Sequence, residues 1–373
     1  MKLKILLVVM VFATVYGNAT IRRVGYTASS GKVNGTDYVN FQAAQDAASA
    51  GDTIQVYPST SGATYSGTIN KKVIVVGPGY FTNGYYVSGS ELYNDSLQNL
   101  AGIINSCSFI IDLGSAGTIF QGLNAITVTT VNRSDALNNI TISRCRNVAV
   151  TFDNGGNCDS WNILQCFGLT ITQNSYSGSS NRTITNLLIQ NTLINGSITF
   201  STSPIGSYTG NKIYNCVFIS GNSLSLSNAT FTVQNCIFES QSFAGATNVS
   251  FVKNLTSAAA TGNILSTNAG SSGNLYGQVM SSIFTGYPSY IIVGGKYNST
   301  PDGRFKLSAT STAKNAGYLP GTTTATDCGL YGGANPYILS GIPAIPVFKK
   351  LNSASAIYTG GNYNMNFSIN SNN

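Results

Sequence analysis

The sequence predicts an all-β fold, a parallel β-helix, on three observations: its composition, a recurring string marked by asparagine, and a slip in the apolar alternation at that asparagine. The 373 residues are 42% hydrophobic but only 8% charged, with 40 glycines and no histidine. Charge this sparse cannot solvate the outer faces of a helical array, and the apolar content is too high for a disordered chain.

The repeat comes first. Strings of the form apolar, any, Asn or polar, small, any, bulky apolar occur as FQGLNAI at 120–126, TISRCRNV at 141–148, NILQCFGL at 162–169 and LIQNTLI at 188–194. They return as KIYNCVFI at 212–219, TVQNCIFE at 232–239, FVKNLTS at 251–257 and QVMSSIFT at 278–285. Anchored on Gly122, Arg144, Gln165, Asn191, Asn215, Asn235, Asn254 and Ser281, successive copies lie between 19 and 27 residues apart. Uneven steps exclude a rigid helical repeat and suit coils of short strands joined by turns of varying length.

The slip supplies the bend. In TVQNCIF the inward residues are Val233, Cys236 and Phe238, so the two-residue alternation breaks at Asn235. A straight strand with such a break would turn its core face to water. Asparagine tolerates left-handed backbone and bonds its neighbours with its own amide, which makes it a corner residue. Stacked coils then set Asn191, Asn215, Asn235 and Asn254 over one another, with amides bonded along the stack. Cys145, Cys166, Cys216 and Cys236 follow the corner and point inward as small apolar fillers rather than as disulfide partners.

A second strand follows each corner: ITVTT at 126–130, VAVTF at 148–152, LTITQ at 169–173, SITFS at 197–201 and SLSLS at 223–227. One face is buried and the other is rich in hydroxyls. If the coils stack in register, Thr127, Thr129, Thr151, Thr170, Thr172, Ser197 and Thr199 make a lattice like that of ice-binding solenoids, although uneven coil lengths argue against it and ordinary β-surface polarity accounts for the rows equally well.

The ends complete the domain plan. Residues 1–19 read as a secretory signal, two lysines before an apolar run too short to span a bilayer, so a secreted or outer-surface location is expected. No membrane span is expected later. YVNFQAAQDAASAGD gives a capping helix at about 38–50 over the first coil of a β-helix domain at 20–345. The tail, 346–373, includes NYNMNFSIN, which alternates as an edge strand.

FQAAQDAASAGDTIQVYP with KKVIVVGPGYF, and later DGRFKLSATSTAKNAG at 302–317 with DCGLYGG at 327–333, resemble secreted right-handed parallel β-helix repeat proteins of the pectin-lyase-like superfamily, of Bacteroidetes type. The resemblance implies a right-handed coil. It is weak for activity, since one fold hosts lyases, hydrolases, adhesins and inert stalks.

The absence of histidine removes the Gly-His-Gly element of the related polygalacturonases, along with any Ser/His or Cys/His pair. A pectate-type lyase would use an arginine base with aspartate-bound calcium, and Arg144, Arg146, Asp153, Asp159 and Arg182 are the candidates. Calcium enters only on that reading; otherwise no cofactor and no metal site is expected. Tyr80, Tyr85, Tyr86 and Tyr93 either stack on sugar rings or pad the cap. The net charge of +7 is scattered, so nucleic acid is not an expected partner. The leading expectation is a non-catalytic rod that binds extracellular polysaccharide or a cell-surface glycan, or serves adhesion; the oligomeric state is left open.

Overall fold

The computed structural model describes residues 19–25, 35–57, 63–80, 104–131, 136–153, 157–174, 183–200, 208–219, 223–226, 229–240, 242–244, 246, 248–261, 263–287, 292–293, 296–297, 301–339, 347–352 and 366–370. Residues 1–18 of the expected signal segment, Tyr85, Tyr86, Tyr93 and Arg182 lie outside the described residues.

The chain winds as a parallel β-solenoid. Two long sheets run along it, one of eleven strands and one of twelve, and neighbouring strands within each belong to successive coils. One coil shows the plan: Thr141–Ser143 in sheet I, a corner at Arg144, Arg146–Phe152 in sheet II, then Cys158–Asp159 on a small third side. A second corner at Ser160 leads into Asn162–Leu164, back in sheet I one coil higher.

Inward side chains stack in register. In sheet I, Phe120, Ile142, Ile163, Ile189, Ile213, Val233 and Phe251 are successive partners, each no more than 1% exposed. This row, with its counterparts on the other sides, is the core. Burial of one such side chain contributes about 1.5–3 kcal/mol.

The predicted parity slip is a left-handed residue. Gly122, Arg144, Gln165, Asn191, Asn215 and Asn235 all have φ between 48° and 66°. The anchor expected at Asn254 is off by one: Lys253 takes the left-handed conformation, and Asn254 aligns with Cys236. The last expected anchor, Ser281, is no corner but part of a short helix, Met280–Ile283. The sheet register makes Phe251, not Val252, the inward partner of Val233. A second row of left-handed corners at Asn139, Ser160, Asn186 and Gly210 precedes sheet I, and the sequence did not reveal it.

The position after the corner does one job in several coils. The thiols of Cys145, Cys166, Cys216 and Cys236 donate to the carbonyl two residues back at 3.2–3.4 Å, and the Thr192 hydroxyl does so at 3.0 Å. All seven cysteines are buried free thiols.

The N-terminal end is sealed by a helix, α1, Phe41–Ala47. It is shorter than the sequence suggests. Asn40 caps it by accepting from the Ala43 N–H, and Lys71 donates to the carbonyls of Asp46 and Ala48 at its other end. Phe41 packs on Phe109 at 4.6 Å between centroids, while Gln42 accepts the Thr68 N–H from the end strand of sheet II, Ala63–Ile69. An open sheet edge invites pairing with other chains, and here it is covered. At the same end the inward row of sheet I terminates on Arg22, held by Asp52 at 2.9 Å and by the Tyr38 hydroxyl at 2.7 Å.

A second core lies outside the solenoid. Phe167, Leu193, Val217, Ile237 and Leu255 form an outward row at the start of sheet II, yet each is 9% exposed or less. The returning chain covers them with Met280, Phe284, Phe305, Ala313, Cys328, Leu330 and Tyr337. This strap runs back down the stack: Tyr318 meets Asn235, Asp327 meets Asn215, Leu330 and Gly332 meet Asn191, and Asn335 and Pro336 meet Gln165.

The expected amide ladder is therefore put to a different use. Within it only Asn235 reaches Asn215, at 3.4 Å, while the remaining amide bonds just named hold the strap. Farther on, Val347–Asn352 and Asn366–Asn370 pair as an antiparallel hairpin.

On the outer face of sheet II the hydroxyl rows do stack in register. Thr68, Ile110, Thr129, Thr151, Thr172, Thr199 and Ser225 are successive partners. Two residues away along the strands run Ser66, Ser108, Thr127, Ala149 and Thr170. Coil lengths differ without breaking these pairings, even where the extra residues fall inside sheet II: the offset between partners grows by one residue from Phe167–Leu193 to Ile171–Ile198 and by two from Leu193–Val217 to Ile198–Leu224.

Candidate functional site

An open groove of about 460 Å³ lies where the strap ends against the first corner. Its polar lining includes Gln121, Thr141, Ser143, Arg144, Gln165 and Gln190, with the corner residue Asn191 behind them; its apolar lining is Ile74, Ile119 and Leu164, and Asn335 of the strap borders it. The sheet register builds it. Ile119 and Thr141 are partners, as are Gln121 and Ser143, and Leu164 and Gln190, so alternate outward positions of successive coils meet along one line.

Arg144 sits at the turn. Its left-handed backbone, φ 50°, swings the side chain out of the sheet plane, and its Nε donates to Gln165 Oε1 at 3.0 Å. Gln165 in turn donates to Pro336 O at 2.6 Å, which ties the arginine to the strap. Partial burial lowers the pKa of the guanidinium from its ordinary value, with Tyr80 opposing the shift. A guanidinium remains charged at neutral pH even so. None of the described lining residues is an aspartate or glutamate. The groove is therefore a cationic, amide-rich and hydroxyl-rich trough suited to an acidic, polyhydroxylated chain.

Of the expected lyase set, Asp153 lies at the far end of sheet II and Asp159 on the third side, away from this corner. Arg146 opens and Asp153 follows the seven-residue strand Arg146–Phe152, which separates them by roughly 20 Å. Asp153 accepts from the Asn174 amide one coil higher. Asp159 lies on the third side, where it accepts from Thr185, Asn186 and Ser160 at 2.6–2.8 Å, and these bonds hold its carboxyl below the usual range. The aspartates thus serve turns. Among the described residues no three of His, Cys, Asp and Glu gather as a metal site.

Tyr80 is corrected. It is 3% exposed, packed under the strap, with its hydroxyl bonded to that of Tyr337, which donates to Asp302 Oδ2 at 3.1 Å. Burial and the nearby Asp302 push its phenol well above the ordinary value. It joins the third coil to the strap and cannot stack on a sugar.

Sequence reasoning missed Gln121, Thr141, Ser143 and Gln190. Their signal was present in the outward positions just before each corner. The strap that makes a trough of them comes from residues more than 140 positions away.

These features define the class of the molecule: a parallel β-solenoid with a helical cap and a returning C-terminal strap. Neither the protein-family models nor the curated proteins compared with the sequence give a match.

Proposed function

We propose that the protein is a secreted or surface-displayed, non-catalytic solenoid that holds an extended acidic glycan in the groove beside Arg144. The observation that carries this reading is the trough itself, a single arginine framed by glutamine amides and hydroxyls on rigid coils. Rigid walls matter because side chains already ordered lose little entropy on binding. The N-terminal run of residues 1–19 supports export, and the likeness to secreted β-helix repeat proteins of the pectin-lyase-like superfamily supports a polysaccharide partner. Adhesion would follow from the same binding.

Titration calorimetry with oligogalacturonate and alginate oligomers tests the proposal. Binding is expected and should weaken at least tenfold on Arg144→Ala, without release of unsaturated products that absorb in the ultraviolet. No binding to these or to a neutral glycan array overturns it, and unsaturated products from the wild type would establish the lyase reading instead.

A further inference from the structure

The outer face of sheet II is a second surface, separate from the groove and built on a different principle. From Thr129 through Thr151 and Thr172 to Thr199, one outward threonine stands directly above the next, and Thr127 and Thr170 belong to a parallel row two residues away. Neighbouring coils are about 4.8 Å apart and alternate residues along a strand about 6.7 Å apart, so the hydroxyls and methyls repeat in two dimensions. We propose that this face binds the surface of an ice crystal.

Three observations favour an ordered water lattice. First, ordinary β-surface polarity would act alike on both sheets, and it does not. The matching outward row of sheet I reads Gln121, Ser143, Leu164, Gln190, Tyr214 and Gln234, a mixture of size and chemistry. Second, the two sheet II rows contain no charged side chain, in a protein of net charge +7. A charge orders water around itself and would break a match to a neutral lattice. Third, the rows contain no aromatic ring, although stacking rings are the usual platform for sugar. Ile110, 43% exposed, continues the threonine row with an apolar group rather than a charge.

The energetics need the array. One threonine holds a water little better than bulk water does. Several hydroxyls fixed at lattice spacing engage one crystal together, and each further contact is intramolecular once the first has formed. Threonine suits this because its branched β-carbon restricts χ1.

Ice-recrystallisation inhibition and thermal hysteresis of the full chain test the proposal, with crystal shape followed by microscopy. The wild type should shape ice and suppress recrystallisation. Thr151→Tyr, in the middle of the array, and Thr172→Lys, at an exposed position, should each lose at least tenfold in inhibitory potency with an unchanged circular-dichroism melt; Lys212→Ser on sheet I should retain full potency. If Thr151→Tyr does not fold, Thr172→Lys gives the answer. A wild type without effect on ice, or potency kept in Thr172→Lys, overturns the proposal. So does retention on crystalline cellulose that Thr172→Lys abolishes while ice growth is unaffected, since that assigns the face to a polysaccharide. Arg144→Ala leaves this face intact, so the groove and the array fail or succeed separately.

Discussion

Asn235 shows how much one corner residue carries. Its backbone is at φ 57°, its amide donates to Tyr318 O at 2.8 Å, and its Oδ1 accepts the Tyr318 N–H at 3.2 Å. Both halves of the side chain are used, in a residue that is fully buried. Asn235→Ala should cost about 2–4 kcal/mol, from left-handed strain together with unpaired strap groups. Asn235→Gly removes the strain but not the loss of bonds, so it should be about 1 kcal/mol less harmful. Denaturant unfolding of the two variants separates these parts. The same scale explains why Lys253, and not Asn254, is the corner. FVKN imitates TVQN in letters, but the inward residue is Phe251, and the asparagine then falls in the cysteine position, where it accepts the Cys236 N–H at 2.8 Å. Letter patterns carry the slip; only the register says which residue slips.

The cysteines give a second prediction at this scale. Burial pushes the thiols of Cys107 and Cys158 up to about 12 and that of Cys328 higher still, so they stay neutral at pH 8. A thiol reacts as its thiolate. Native protein should resist maleimide at pH 8, and all seven thiols should label after unfolding, as mass spectrometry would show.

At the scale of elements, the strap and the cap are the parts with the least support of their own. The strap holds no place in either long sheet and stays in position through corner amides and the outward apolar row. Close approach requires glycine at two points: a Cβ on Gly317 would overlap the Asn235 amide, and one on Gly332 would overlap the Asp327 carbonyl. Gly332→Ala should therefore loosen the strap, with limited proteolysis between 313 and 337 at least several-fold faster and stability lower by about 1–3 kcal/mol. Little of this was legible beforehand, because the strap depends on contacts between residues 83 to 171 positions apart. The local hint was the apolar doublet in LI 193–194, VF 217–218 and IF 237–238, where one residue faces in and the other needs a cover. The cap was legible, since Phe41, Ala44 and Ala48 share one helical face and all are buried. Phe41→Ala should cost about 3–5 kcal/mol by opening a cavity against Phe109.

Over the whole molecule, a solenoid is as stable as its coil interfaces and its covered ends. The N-terminal end depends on Asp52. Burial raises its carboxyl pKa, but the N–H groups of Thr20 and Ser49 and the guanidinium of Arg22 outweigh that, and the net shift is downward. Asp159, on the third side, is also shifted downward by its three side-chain donors. A carboxyl whose folded pKa is depressed contributes stability that is complete above its unfolded value, about 3.9, and is lost as pH falls through the folded value. With no histidine to titrate, nothing of that kind acts between pH 5 and 8. The melting temperature should therefore be flat from about pH 8 to pH 5 and fall below about pH 4. Asp52→Asn should lower the plateau and make the acid fall shallower, because Arg22 then ends the inward row without its carboxylate whatever the pH. An acid fall as steep in Asp52→Asn as in the wild type would place the acid-sensitive contact elsewhere, with Asp159 the next to substitute.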